Sequence, residues 1–161
     1  MGYREFSEIF IPLGGQLYRV AYFILESESD AQDAVQEMFV RLWEQRESLE
    51  TVVNPKAYCI TLVRNICIDM IRRRSGTCRS TSEIPDTIPA GTDTAERMEQ
   101  RERMARVMDA IDRLPERQRQ VLRMRVFQEL SYKEIEEKTG IGYLTLRVLL
   151  SQARKQLKKV Q

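Results

Sequence analysis

Apolar residues recur along most of the 161-residue chain at steps of three and four, the spacing of an amphipathic helix. The clearest series lies near the C-terminus, where Leu146, Leu150, Ala153 and Leu157 share one face of a helix predicted to begin after Gly142. The sequence contains no alternating pattern typical of strands and no internal repeat. It therefore predicts an all-α fold.

A shorter helix is predicted just before this one. Ser131 and Glu134 form a capping box, so the helix should begin at Tyr132, and Gly140 is placed to end it in the left-handed conformation. Two helices joined by a very short turn, the second with a basic outer side, are typical of a helix-turn-helix whose second helix enters the major groove of DNA. The alternative is an ordinary helical hairpin with solvated basic side chains.

The same periodicity predicts six further helices upstream. They are expected at residues 3–11, 17–24, 30–45, 55–74, 95–114 and 116–128, with a break at Pro12 and Gly14-Gly15 and a loop over 47–53. Ser29 with Gln32 is predicted to cap the third helix, and Asn54 with Pro55 the fourth. Residues 75–94 are rich in Ser, Thr, Gly and Pro and have no period. We therefore expect two helical domains, residues 1–76 and 97–161, joined by a flexible linker of residues 77–96.

The net charge of +2 says little about partners, but the charges are unevenly distributed. Successive blocks at 1–50, 51–80, 81–96 and 97–161 carry net charges of −6, +5, −4 and +7. Two basic blocks, each after an acidic one, indicate two separate surfaces that face polyanions. The triplet Arg72-Arg73-Arg74 ends the fourth predicted helix, where it either matches the helix dipole or contacts phosphate.

The composition excludes several kinds of chemistry. Three cysteines without CxxC spacing and no histidine argue against a zinc site and a disulfide framework, and reduced thiols fit the cytoplasm. No apolar run approaches the roughly 18 residues of a membrane span, and the N-terminal residues lack a signal-peptide core. We expect a soluble intracellular protein without membrane insertion, metal, cofactor, catalytic residues or small-molecule substrate.

Three segments together resemble a known family. Residues 30–43 resemble the second conserved region of sigma factors, residues 62–74 are similar to the adjoining promoter-reading helix, and residues 114–121 with 130–135 resemble the fourth region. Their order, spacing and two-domain length are similar to those of the extracytoplasmic-function group of RNA polymerase sigma factors. The resemblance covers nearly the whole chain.

This resemblance implies a protein that binds core RNA polymerase and promoter DNA, and an anti-sigma factor as a further partner. The polymerase would contact the outer face of the third helix, at Asp33, Gln36 and Glu37. The loop over 47–53 and the next helix would bind the minus-ten element, and the helix-turn-helix would read the minus-thirty-five element. The predicted DNA-binding residues are Arg64, Asn65, Arg72, Arg73, Arg74, Tyr143, Thr145, Arg147, Val148, Ser151, Gln152, Arg154 and Lys155.

The side chains of the second helix of this motif suit two different kinds of DNA contact. Arg147 suits guanine and Gln152 suits adenine, whereas Arg154 and Lys155 are better placed for phosphates. For Arg147, a solvated charge or an ion pair with Glu136 or Glu137 is the alternative, in which case the reading face would centre on Tyr143, Leu144 and Val148.

The sequence departs from the family pattern at this helix. The family commonly has a basic residue, Ser and Arg at the positions of Arg147, Val148 and Leu149, and Arg at that of Gln152. The resemblance still implies the family's fold and its docking on polymerase, but it leaves open which DNA sequence this helix recognises. Leu149 is either packed in the core or an exposed apolar contact.

Two other classes of function fit the sequence less well. A stand-alone dimeric repressor or activator would need a dimerisation surface, and the N-terminal helices show no heptad run. A metal-dependent nuclease would need clustered acids and a base, but the acids lie mainly on predicted solvated faces and histidine is absent.

Overall fold

A computed structural model of the protein describes residues 1–76 and 94–160. The elements in these ranges are helical, so the predicted all-α fold is confirmed. The chain divides into two compact units, Met1–Arg97 and Met98–Gln161, which we call the N-terminal and C-terminal units. Most of the predicted linker, residues 77–93, lies outside the described residues, and its last three residues already belong to a helix.

Over residues 1–76 the N-terminal unit contains four α-helices. They are α1 (Tyr3–Phe10), α2 (Gly14–Leu25), α3 (Glu28–Glu44) and α4 (Pro55–Arg74). Helix α2 packs against both α3 and α4, because each helix carries one apolar face toward a shared core. The largest fully buried side chains of this core are Phe10, Leu17, Val20, Ile24, Met38, Leu42, Val63 and Ile66.

The junction between α1 and α2 differs from the predicted break. Pro12 lies in a 3₁₀ turn, Ile11–Leu13, and α2 already begins at Gly14, so the chain stays helical with little interruption. A side chain at Gly14 would meet Phe39, whose ring Cζ lies 3.4 Å from where a Cβ would be. That distance is an ordinary van der Waals contact, and Gly14 begins α2 and does not end a helix.

The start of α3 also differs from the prediction. Ser27, not Ser29, is the N-cap, and its Oγ accepts a hydrogen bond from the Asp30 N–H at 3.3 Å. Helix α2 ends just before it at Leu25, and its C-cap residue Glu26 has a left-handed φ of 55°. The apolar period of α3 predicts that Ala31, Val35, Met38 and Leu42 face inward, and all four are buried.

The segment predicted as a loop over 47–53 contains a 3₁₀ helix, Ser48–Thr51. Leu49 is only 2% exposed and anchors this helix in the core. The predicted cap of α4 is confirmed, because Asn54 Oδ1 accepts a hydrogen bond from the Ala57 N–H at 3.1 Å and Pro55 is the first helical residue.

Cys59 and Cys67 are buried in α4 as part of the apolar core. Burial disfavours the thiolate and raises the pKa of each thiol to about 12. Cys78 lies outside the described residues. The two described thiols are therefore placed as inert core side chains, without the low pKa of a reactive cysteine.

These thiols predict a stability that falls at high pH. Folding raises the pKa of each thiol. The thiols therefore contribute fully to the free energy of unfolding below the unfolded pKa near 9, and this contribution is lost as pH rises toward 12. The free energy of unfolding should fall by up to about 1.4 kcal/mol per pH unit for each thiol. Urea unfolding at about pH 8 and about pH 10 checks this. A Cys59→Ala, Cys67→Ala double variant, which keeps the lysines and tyrosines, should lose this part of the slope, and an unchanged slope would contradict the assignment.

The C-terminal unit contains four further α-helices, the first of which begins four residues before the unit boundary at Met98. They are α5 (Thr94–Asp112), α6 (Glu116–Leu122), α7 (Tyr132–Thr139) and α8 (Tyr143–Lys158). The helix predicted over 116–128 instead ends at Leu122, and a π-helical turn continues it from Arg123 to Phe127. The core is lined by Met108, Ile111, Leu114, Val121, Leu122, Ile135, Leu146, Leu150 and Ala153. Across residues 1–76 and 94–160, no helix has both the length and the apolar character needed to cross a membrane.

Candidate nucleic-acid interface

Helices α7 and α8 form the predicted helix-turn-helix. Ser131 Oγ accepts a hydrogen bond from the Glu134 N–H at 3.1 Å and caps α7, which ends at Gly140 with a left-handed φ of 72°. Thr139 tightens the turn, because its Oγ1 donates to the Ile135 carbonyl at 2.7 Å and accepts from the Ile141 N–H at 3.2 Å. Helix α8 then begins without a side-chain cap, since its N-cap is a glycine.

The inner face of the helix-turn-helix is packed in the core. Ile135 on α7 and Leu146, Leu150 and Ala153 on α8 are each 3% exposed or less. Leu149 is half-buried, so it is neither fully packed in the core nor freely exposed. Because these side chains fix how α8 is rotated about its axis, they also determine which residues face solvent.

The outer face of α8 presents the predicted DNA-binding residues of this unit. Leu144, Arg147, Val148, Ser151, Gln152 and Lys155 together line a shallow groove of about 490 Å³. Tyr143, Thr145 and Arg154 are exposed on the same helix. Helix α8 contains four basic residues and no acidic one. Its outer surface is therefore positive, as contact with a polyanion requires.

The N-terminal unit places the other predicted DNA-binding residues on α4. Arg64, Asn65 and Arg72 are half-buried, whereas Arg73 and Arg74 are exposed. Arg74 also has a structural partner, because its Nη2 lies 2.6 Å from Asp30 Oδ2 at the start of α3. The hydrogen bond from Arg74 lowers the pKa of the Asp30 carboxyl. Arg74 is largely exposed whereas the Asp30 side chain is mostly covered, so this ion pair links the end of α4 to the start of α3.

The outer face of α3 carries the residues predicted to contact polymerase. Asp33 and Gln36 are exposed on it. Glu37 is half-buried and forms an ion pair with Arg41, one turn further along the helix. Val40 lies on the same face and is 57% exposed, so this surface also offers an apolar contact.

Comparison with known families matches both units. Residues 10–77 match the family model described as Sigma-70 region 2, and residues 104–157 match that of Sigma-70, region 4. The chain belongs to the sigma-70 family. Between them the two matches span most of the chain, and they lie in the order that the sequence predicted.

The curated relatives that the chain is similar to are RNA polymerase sigma factors, one of them named as a member of the extracytoplasmic-function (ECF) group. The chain is 29% identical over 146 residues to the ECF RNA polymerase sigma factor SigE of Mycolicibacterium smegmatis, covering 89% of this chain and 56% of that protein. It is 28% identical over 137 residues to the RNA polymerase sigma factor SigZ of Bacillus subtilis, covering 84% of this chain and 75% of that protein. The chain thus spans little more than half the length of the first of these relatives.

A solved structure is also similar over the length of this sigma factor. The sigma factor RpoE of Bartonella quintana, in complex with the anti-sigma factor NepR, aligns over 98% of this chain and 96% of that chain. The sequence identity is 20% and the TM-score is 0.46.

A stack of arginine and tyrosine side chains that no sequence pattern predicted lies beside the basic outer surface of α8. The Arg125 guanidinium lies 4.6 Å from the Tyr132 ring centre, and Tyr132 meets Tyr143 edge-to-face at 5.1 Å. Arg147 follows, 5.7 Å from the centre of the Tyr143 ring. Arg125 also donates a hydrogen bond to the Leu130 carbonyl at 3.0 Å. The stack connects the π-helical turn, α7 and α8, and so helps to position Arg147.

This placement bears on the alternatives for Arg147. In the described part of the chain, Arg147 forms no ion pair with Glu136 or Glu137. Two of the alternatives that the sequence left for Arg147 therefore remain, a solvated charge and a base contact. The cation–π contact with Tyr143 holds the side chain near the start of α8 in either case.

Gln152 is positioned by a residue that the sequence did not single out. Gln118 Nε2, on α6, donates a hydrogen bond to Gln152 Oε1 at 3.2 Å. The amide oxygen of Gln152 keeps a second lone pair and its amide nitrogen keeps two N–H donors, so it can still contact a base edge. No local pattern pointed to Gln118, because the two glutamines are 34 residues apart.

Proposed function

We propose that this sigma factor binds core RNA polymerase and directs promoter-specific initiation of transcription in the cytoplasm. The observation that carries the proposal is the presence of both sigma regions in one chain, the second of them a helix-turn-helix with a positive outer face. In this proposal residues 1–76 bind polymerase and the minus-ten element, residues 77–96 link the domains, and residues 97–161 bind the minus-thirty-five element. An anti-sigma factor is a further partner.

The polymerase contact is assigned to Asp33, Gln36 and Glu37. The opposite face of α3 is occupied by the core, where Met38 and Leu42 are fully buried. The outer face is therefore the part of this helix that is available to a partner. Its acidic and amide side chains fit a partner surface that offers cationic and hydrogen-bonding groups.

The minus-ten contact is assigned to α4 and the segment before it. Leu49 is buried in the core, and the Asn54 cap joins the end of the 47–53 segment to the start of α4, on which Arg64 and Asn65 are half-buried. The positive charge that binding of single-stranded DNA requires is supplied by Arg72, Arg73 and Arg74. The upstream contact is assigned to α8, with Thr145, Arg147, Ser151 and Gln152 facing bases and Arg154 and Lys155 facing phosphates.

Run-off transcription with core polymerase and genomic fragments tests the proposed function. The expected result is transcripts with defined start sites that appear only when this sigma factor is added. Stoichiometric co-purification with core polymerase is expected as well. If the chain neither co-purifies nor directs initiation but binds DNA by itself, it is a stand-alone regulator and the proposal is wrong.

The assigned polymerase face makes a separate prediction. Reversing the charge in Glu37→Lys should weaken core-polymerase binding by roughly tenfold, or about 1.4 kcal/mol, because a complementary charge contact becomes repulsive. Binding of the labelled chain to core polymerase, followed by fluorescence anisotropy, measures the change.

Two further variants separate this effect from local damage. Glu37→Lys also breaks the ion pair with Arg41, whereas Gln36→Lys alters the same face and leaves that pair intact. Glu5→Lys on α1 is the control for a general charge effect, and its polymerase affinity should not change. Unchanged affinity for both α3 variants, with a normal circular dichroism spectrum, would reject the assigned face.

A further inference from the structure

The first two turns of α8 hold an unusual group of exposed apolar side chains. Leu144 is 74% exposed, Val148 is 55% exposed and Tyr143 is 44% exposed. Over the described residues of the C-terminal unit, these three are the large apolar side chains classed as exposed. Tyr143 has contacts within the protein, with the Tyr132 ring and the Arg147 guanidinium. Leu144 and Val148 are four residues apart and so share one side of the helix.

Core packing does not account for Leu144 and Val148. The core-facing side of α8 is already occupied by Leu146, Leu150 and Ala153, each buried. Leu144 and Val148 instead line the shallow outer groove together with Arg147, Ser151, Gln152 and Lys155. Apolar side chains in such a position gain free energy only when a partner covers them.

The surroundings of the two side chains identify the kind of partner. Arg147 and Lys155 lie in the same groove, and α8 carries no acidic residue along its whole length. The N-terminal part of the second helix in a helix-turn-helix is the part that reaches base edges in the major groove. In that groove thymine is the base that presents an apolar group, its C5 methyl.

We propose that Leu144 and Val148 read the methyl groups of thymines in the upstream promoter element. This inference rests on the proposed function, because it assumes that α8 binds the upstream element. It adds a base preference at a position where the sequence departs from the family pattern.

The helix geometry also predicts how the thymines are spaced. Four residues of helix advance about 6 Å, and successive base pairs are about 3.4 Å apart. A helix that runs along the groove would therefore place Leu144 and Val148 over thymines roughly two base pairs apart. Arg147 lies between them in the chain, so its guanine is expected at or next to the intervening pair.

The test begins with selection of upstream elements from a random library by core polymerase carrying the full-length chain. Each thymine of the selected element is then replaced singly by deoxyuridine, which removes one methyl group and changes nothing else. We expect holoenzyme affinity to fall about fourfold at one or two thymines, the effect of one buried methyl group. Leu144→Ala or Val148→Ala should abolish the response to deoxyuridine at the thymine that it contacts.

Ile11→Ala is the matched control, because Ile11 is an exposed aliphatic residue of the N-terminal unit, 53% exposed. It should keep the full response to deoxyuridine. A selected element without thymine, no response to deoxyuridine, or a response that persists in both α8 variants would overturn the inference. Weaker binding to polymerase alone in the α8 variants would also overturn it and mark a protein-docking surface. If no upstream element is enriched at all, the proposed function itself fails.

Discussion

Replacing Ile135 by alanine is expected to lower the free energy of unfolding of the C-terminal unit by about 2–5 kcal/mol. Ile135 is fully buried on α7, the short first helix of the helix-turn-helix, and the loss combines removed apolar contact with the cavity left behind. Since α7 has only this one buried side chain, the helix should separate from α8 and upstream DNA binding should fall with stability. Urea unfolding followed by circular dichroism measures the change.

Leu144→Ala is the matched control for this prediction. It removes a side chain of similar size from the neighbouring helix, but Leu144 is 74% exposed, so the free energy of unfolding should change by no more than about 0.5 kcal/mol. If Ile135→Ala were as mild as the control, α7 would not be held by its buried face, and the packing described for the motif would be wrong.

Replacing Arg147 by alanine is expected to cost about 1–3 kcal/mol in upstream DNA binding and to relax the preference at one base position. The reason is that Arg147 lies on the outer groove of α8, held near Tyr143 at 5.7 Å and without an ion pair to Glu136 or Glu137 in the described part of the chain. Holoenzyme binding to promoter fragments with each base varied at the upstream element measures both effects.

The Lys155→Ala variant distinguishes base recognition from sequence-independent electrostatic attraction to DNA. Lys155 lies two turns further along the same groove and is assigned to phosphate, so its loss should weaken binding to all sequences alike and reduce the salt slope by about one. If Arg147→Ala behaves like Lys155→Ala, Arg147 is a phosphate contact. If it leaves binding and base preference unchanged, Arg147 is a solvated charge and the reading face centres on Tyr143, Leu144 and Val148.

Features that depend only on neighbouring residues could be predicted from the sequence. The cap at Ser131, the left-handed end at Gly140 and the start at Asn54-Pro55 all agree with the structure. Each is formed by a side chain and backbone groups within a few residues, so its energetics are almost independent of the rest of the fold. The apolar period likewise predicted the buried faces of α3 and α8, because a helix has one regular geometry.

Other features depended on contacts between distant parts of the chain. Ser27 and Ser29 are equally good caps by composition, and the choice depended on where α2 ended and α3 had to begin. Leu49 is buried in the core, which a segment without an apolar period could not reveal. The π-helical turn after α6 likewise has no signature in the apolar pattern.

The same division holds for the candidate DNA-binding surface. The sequence predicted which helix carries this surface and that the outer side of that helix is basic, because the basic residues and the apolar period both lie within one helix. The stack from Arg125 to Arg147 and the bond from Gln118 to Gln152 join residues of different elements. Their geometry exists only once α6, α7 and α8 have packed. Tertiary structure therefore decided how the reading side chains are held, because side-chain contacts between elements follow from the packing of the core and not from local sequence.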